Sequence, residues 1–303
     1  MNNLEVRKIC KAYDDFKLKD VSFTVKKGKI MGLIGENGAG KTTTLKTIME
    51  LIKTDSGNVT ILDHVTTGNL DKRPIEINEY LGVVMDESGF ADTLTLNNIE
   101  LIMSNIYKTW KKEVFGDYVD KFKLPRNKRL KDFSKGMKMK TSIAVALSHD
   151  SKLLILDEAT SGLDPIVRDE VLEIFLDFVK SDNSRSILIS SHITSDLEKI
   201  CDEITFIREG KIVLSEDKQN LMKKYGVIKF SEEEYLEFEN NILSKCEFDN
   251  SKLIERIRRS GFGTEILINT EFFESVKSKF ENFRVERASL EDIMLFYCKG
   301  ELI

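Results

Sequence analysis

The 303-residue chain carries a net charge of −5, with 41% apolar and 32% charged residues, the balance of a globular protein long enough to bury a core without staples. Its basic residues are dispersed, which argues against a nucleic-acid partner, because a phosphate backbone demands concentrated positive charge. No run approaches the ~18 apolar residues of a membrane-spanning helix, the start MNNLEVRKIC lacks a signal-peptide core, and Cys10, Cys201, Cys246 and Cys298 lie far apart without C-x-x-C spacing, so neither zinc nor a disulfide framework is expected.

In chain order, Leu4–Ile9 and Val21–Val25 alternate as short strands, joined to the next by the turn Lys26-Lys27-Gly28, with Tyr13 in the loop between them. Ile30–Ile34 is an apolar run read as a buried strand, and Thr43–Leu51 has helical spacing. Between them stands GENGAGKT, Gly35 to Thr42. Strand, then G-x-x-x-x-G-K-T, then helix is the setting of a phosphate-binding loop. Backbone N–H groups curl round an anion, the helix start adds unpaired donors, Lys41 supplies charge for the outer phosphates, and the Thr42 hydroxyl is placed to bind Mg²⁺.

Strands follow at Gly57–Leu62 and Tyr80–Val84, and from Asp86 to about Leu130 helical periodicity takes over, as in an insert between strands of an α/β domain. Trp110 reads as packing between those helices. Ser134 is a natural N-cap for a helix running to about Ser148. The apolar strand Leu153–Leu156 ends in Asp157 and Glu158. Ligands of open α/β sheets sit at the strands' carboxyl ends, so beside a phosphate loop these acids are read as the metal acid and the acid that handles water. The turn Ser161-Gly162-Leu163-Asp164-Pro165 opens a helix to Lys180, and the strand Ser186–Ser190 ends at Ser191-His192, again on the phosphate-loop side. His64 and His149 have no such setting and are read as structural.

A hairpin, Ile204–Arg208 and Lys211–Leu214, and a helix from Lys218 to Tyr225 lead into a tail of alternating type. The tail is read as strand Val227–Phe230, a helix opened by the capping box Ser231–Glu234, a helix Ser251–Arg259, strand Glu265–Ile268, helix Phe272–Phe280, strand Phe283–Val285 and a last helix opened by Ser289. It carries no visible catalytic chemistry.

In their order, these signals resemble the ATPase subunit of an ATP-binding-cassette (ABC) transporter over about residues 1–217. Phe133-Ser134-Lys135-Gly136-Met137 looks like the family signature, usually written L-S-G-G-Q. The resemblance implies an α/β fold: a P-loop ABC ATPase core with an antiparallel β subdomain and a helical insert (about residues 86–149), plus a small C-terminal α/β domain, residues 218–303. It implies that Tyr13 stacks on adenine, that Gly35, Asn37, Gly38, Ala39, Gly40, Lys41, Thr42 and Thr43 cradle the phosphates, and that Thr42 and Asp157 hold Mg²⁺. Glu158 matches the general base, with Lys41 and His192 the other catalytic residues, His192 reading the γ-phosphate. Ser134, Gly136 and Asp164 match the parts of the ATP site contributed across a dimer interface.

Three positions depart from the family pattern. Asp86 stands where a glutamine that touches Mg²⁺ is common; an acid can approach the metal but lacks amide donors. Lys135 and Met137 replace a glycine and the glutamine of the signature, a form familiar in bacterial exporters of antibiotics, peptides and other amphiphiles, and Ala159 replaces a frequent proline. Leu290-Glu291-Asp292-Ile293 matches a closing motif of that branch's C-terminal extensions.

The expected function is ATP binding and hydrolysis, powering a separate transmembrane permease through ATP-driven pairing with a second cassette, as a homodimer or heterodimer. The expected cofactors are ATP and Mg²⁺, and the expected location is cytoplasmic, peripheral on the inner face of the cell membrane. The alternative is a soluble regulatory or maintenance ATPase built on the same cassette. The transported compound is not encoded in these residues.

Overall fold

The computed structural model describes residues 1–67, 74–87, 89–240, 253–261, 263–276 and 284–301. It divides into two units, Met1–Ser215 and Glu216–Ile303. In the first, strands β1 (Asn2–Ala12), β2 (Lys17–Lys26), β4 (Ser56–Ile61) and β5 (His64–Thr67) form an antiparallel sheet in the order β2-β1-β4-β5. Leu4, Val6, Ile9, Val21, Phe23 and Val25 are buried, as the alternation requires of a sheet with one covered face. The strand β5 is absent from the sequence reading: its Val65 is exposed and its residues show no apolar alternation.

The second sheet has the order β10-β9-β3-β8-β7-β6, built from β3 (Ile30–Ile34), β6 (Leu81–Val84), β7 (Leu153–Asp157), β8 (Ser186–Ser190), β9 (Glu203–Arg208) and β10 (Lys211–Asp217). Every residue of β3, β7 and β8 is buried, which is why these strands read as unbroken apolar runs. Parallel register aligns Leu33 with Ser190 and Ser190 with Asp157. The carboxyl ends of three central strands therefore finish level, and whatever follows them in sequence shares one edge of the sheet.

Helix α1 (Lys41–Ile48) follows β3. It ends earlier than Leu51, because Glu50 turns left-handed at φ 60°. The helical insert holds α2 (Leu96–Ile106), α3 (Lys112–Lys121) and α4 (Lys135–Leu147), with Thr95 closing a capping box on Asn98. Phe115 is fully buried there, its ring 5.3 Å from that of Trp110. Phe115→Ala is expected to cost about 3–5 kcal/mol through the lost burial and the cavity left behind, read as a lowered urea midpoint. Helices α5 (Pro165–Lys180) and α6 (Thr194–Ile200) complete this unit.

The second unit comprises α7 (Lys218–Lys224), β11 (Tyr225–Phe230), α8 (Glu232–Phe238), β12 (Ile254–Ser260), β13 (Gly263–Asn269), α9 (Thr270–Val276), β14 (Val285–Arg287) and α10 (Leu290–Lys299). Its antiparallel sheet runs β12-β13-β11-β14 around a core that includes Phe230, Phe238, Ile254, Ile266 and Phe273. Both serine caps form as expected, Ser231 on Glu234 and Ser289 on Asp292.

The expected helix over Ser251–Arg259 is instead strand β12 from Ile254 onward, with Ser251 and Lys252 outside the described residues. Arg and Glu favour helix locally, but pairing with β13 places Arg258 opposite Glu265, with which it forms an ion pair, and Arg256 stacks 4.4 Å from the Tyr297 ring. The helix expected at Phe272–Phe280 begins at Thr270, with residues 277–280 outside the described set, and the strand expected at Phe283–Val285 is Val285–Arg287, with Phe283 outside it. Cys10, Cys201 and Cys298 are free thiols; Cys246 also lies outside the described residues.

Candidate functional site

The loop after β3 is shaped by two glycines that have no room for a side chain. A Cβ on Gly35 would lie 2.3 Å from the Ile207 carbonyl oxygen. Gly40, at φ 111°, would drive one to within 2.7 Å of Phe16 and 2.8 Å of Leu18. Gly40 thereby fixes where α1 starts, and Lys41, its first residue, is 6% exposed. The Lys41 ammonium folds back over the loop, donating to the carbonyls of Gly35 (2.8 Å) and Glu36 (3.2 Å).

Asp157 and Glu158 end up in different environments. Asp157 closes β7, is 1% exposed, and accepts a hydrogen bond from Ser190 Oγ, its register partner on β8. Glu158 is left-handed at φ 52°, a conformation rare outside glycine and asparagine. It is held by its N–H donating to the Ser190 carbonyl (3.1 Å). That backbone turn brings the carboxylate to 2.6 Å from His192 Nδ1 and 4.0 Å from Lys41 Nζ. Strain at a residue so placed is what functional sites store. Ser190, which orients both acids, was not among the sequence candidates. Its signal is a polar residue closing an otherwise apolar strand.

Lys41, Thr42, Thr43, Asn37, Glu158 and His192 line one cleft of about 760 Å³, with Tyr13, 43% exposed, and Phe16 also on its walls. Asp86 reaches the same cleft, but its carboxylate lies 2.6 Å from Lys135 Nζ. Ser134, Gly136 and Asp164 are not part of this cleft's lining. Ser134 caps α4 by accepting from the Met137 N–H (3.2 Å), and Asp164 caps α5 by accepting from the Val167 N–H (3.1 Å). Gly136 packs beside the loop before α5, where an added Cβ would sit 3.4 Å from the Gly162 carbonyl.

The other histidine with described partners is structural. His149 stacks on Tyr107 at 3.9 Å, with Nδ1 2.9 Å from the Glu79 carbonyl, and burial pushes its pKa below the ordinary histidine value.

Comparison with known proteins identifies the family. The ABC transporter family profile matches residues 18–161. The chain is 32% identical over 223 residues to the ABC transporter ATP-binding protein YtrB of Bacillus subtilis (strain 168), covering 73% of this chain and 74% of that one. It is 36% identical over 234 residues to the bacitracin transport ATP-binding protein BcrA of Bacillus licheniformis, covering 76% and 72%. Among solved structures, an ATP-binding subunit of an ABC transporter superposes with a TM-score of 0.66 at 26% identity, over 73% of this chain and 92% of that one. An ATP-binding cassette captured as a post-hydrolysis dimer with ADP and Pi shares the fold at a TM-score of 0.62 and 21% identity, over 71% and 98%. The chain therefore belongs to the ABC transporter ATP-binding family, whose members are ATPases.

Proposed function

We propose that this chain hydrolyses ATP in a site it shares with a second cassette, and so drives a membrane permease that exports peptide antibiotics or related amphiphiles. The observation that carries the chemistry is Glu158, poised between Lys41 and His192 at one end of a cleft walled by the phosphate loop. With its carboxylate ionised, Glu158 accepts a hydrogen bond from His192 Nδ1–H and faces the Lys41 ammonium. A γ-phosphate entering the cleft competes for the Lys41 ammonium and the His192 ring N–H, since phosphate oxygens are stronger partners than carbonyls. Lys41 then leaves the Gly35 and Glu36 carbonyls, His192 turns to the phosphate, and a Glu158 oxygen is released to take a proton from the attacking water.

The donors present fit magnesium. Thr42 offers a hard oxygen on the cleft wall, while Asp157, buried and not on that wall, would act through water, and Mg²⁺ needs only one or two protein ligands beside waters and substrate phosphates. Among the described residues no cluster of three or more acids, histidines or cysteines competes for it. When bound, Mg²⁺ neutralises charge on the phosphate oxygens.

Ser134 and the N–H groups opening α4 form a second anion-binding helix start. Since these groups do not line the cleft of their own chain, they serve, with Asp164, the nucleotide of a partner cassette.

A permease partner is supported by an apolar groove of about 680 Å³ lined by Leu51, Ile75, Val83, Ile106 and Tyr107, in which Ile75 is 77% and Ile106 59% exposed. Such a patch marks an interaction surface, and no described helix is long and apolar enough to cross a membrane. A cytoplasmic helix of a membrane subunit fits it, which would place the chain on the inner face of the membrane. The amphiphile cargo rests on the bacitracin-transport relative. Tagged protein recovered from detergent-solubilised membranes should carry a polytopic membrane protein. Ile75→Glu with Ile106→Glu should release it while leaving basal ATP hydrolysis intact. Recovery of ribosomes or DNA in place of a membrane protein would contradict the reading.

A further inference from the structure

Asp86 and Lys135, two positions where this chain departs from the family pattern, face each other, with Lys135 Nζ 2.6 Å from Asp86 Oδ1. Each sits at a different place in the ATPase unit. Asp86 follows β6 and lines the phosphate-loop cleft, and it also lines a neighbouring cleft of about 630 Å³ that includes Lys135. Lys135 is the first residue of α4, and its stem lies on the turn before α5, within 3.4 Å of where a Gly162 Cβ would be. One side chain thus touches the loop after β6 and the turn at Gly162 while belonging to the signature.

The electrostatics of this lysine are conditional. A cation at a helix N-terminus opposes the macrodipole, and α4 has no acidic residue in its first turn to offset it. In the free chain the offset comes from Asp86. The contact is charge against charge: among the described residues, Asp86 Oδ1 is shielded from solvent and has no aligned hydrogen-bond donor. The side chains are 55% and 44% exposed, so the pair is of the kind that exchanges partners at little cost.

We infer that Lys135 trades Asp86 for the terminal phosphate presented by a second copy, so that filling one shared site releases the carboxylate that faces the other. This rests on the shared-site reading above and adds to it a link between the two sites. Within one chain, α4 addresses the partner's nucleotide and Asp86 addresses the chain's own, and the ion pair couples them. ATP in one site draws Lys135 away, and Asp86 becomes free to meet magnesium or water in its own cleft.

The test is a cycle of dimer dissociation constants, measured by sedimentation with ATP and Mg²⁺ in full-length chains carrying Glu158→Gln, so that turnover plays no part. Adding Asp86→Asn is expected to tighten the dimer by up to about fivefold for each pair released, because Lys135 is no longer held back, a range set by the strength of exposed pairs. Lys135→Met, which keeps the stem, is expected to weaken the dimer. With Lys135→Met already present, Asp86→Asn should no longer tighten it. Equal effects of Asp86→Asn in both backgrounds would overturn the coupling and assign Asp86 to the metal alone. Absence of any ATP-dependent dimer in the parent Glu158→Gln chain would instead overturn the shared-site reading, and this inference with it.

Discussion

Glu158→Gln is expected to keep ATP bound and to lose at least about 10²-fold in turnover, the scale of removing a general base. The amide matches the carboxylate in size and can still meet His192, so the left-handed turn at φ 52° and the Ser190 contact that supports it have no reason to change. What disappears is the proton acceptor. Phosphate release at saturating ATP, beside nucleotide binding by equilibrium titration, separates the two effects. Undiminished turnover would remove Glu158 from the chemistry.

Lys41→Ala is expected to act on binding. The ammonium is buried at the head of α1, within reach of the Gly35 and Glu36 carbonyls and the Glu158 carboxylate. In the nucleotide complex these contacts give way to charge-assisted hydrogen bonds to phosphate, worth roughly 1.5–3 kcal/mol each. Loss of even one corresponds to about tenfold to a hundredfold in affinity. Titration with a fluorescent ATP analogue measures it, and circular dichroism checks that α1 persists. Unchanged affinity would mean that the loop binds phosphate by its backbone alone.

Sequence patterns carry furthest where local chemistry and tertiary packing agree. Strands β3, β7 and β8 are buried from both faces, so their apolar runs announce a parallel sheet, and the residues just beyond such runs, Lys41, Glu158 and His192, fall together because the strand ends are level in register. Contacts between distant segments leave no such trace. A polar residue closing an apolar strand marks Ser190 without saying that it will support Asp157 and Glu158, and nothing near Asp86 points to Lys135. The β12 segment shows the opposite failure: Glu255, Arg256, Arg258 and Arg259 favour helix, and the strand appears only once β13 supplies backbone partners and Glu265 meets Arg258. At α1 the sequence spacing places the start at Thr43, while the left-handed Gly40 starts the helix two residues sooner and so makes Lys41 its first residue.

The central claim is that the phosphate loop of one copy is completed by Ser134 and Gly136 of another. Sedimentation of the Glu158→Gln chain with and without Gly136→Asp tests it most directly. An added Cβ meets only ordinary contact distances in the free chain, 3.4 Å to the Gly162 carbonyl and 3.5 Å to Leu163, and circular dichroism of the variant checks that the fold persists. The account predicts that ATP doubles the mass of the Glu158→Gln chain, that ADP does not, and that Gly136→Asp abolishes the doubling by setting a carboxylate against phosphate. A chain that stays monomeric with ATP, or a dimer that forms equally well with Gly136→Asp, would contradict it.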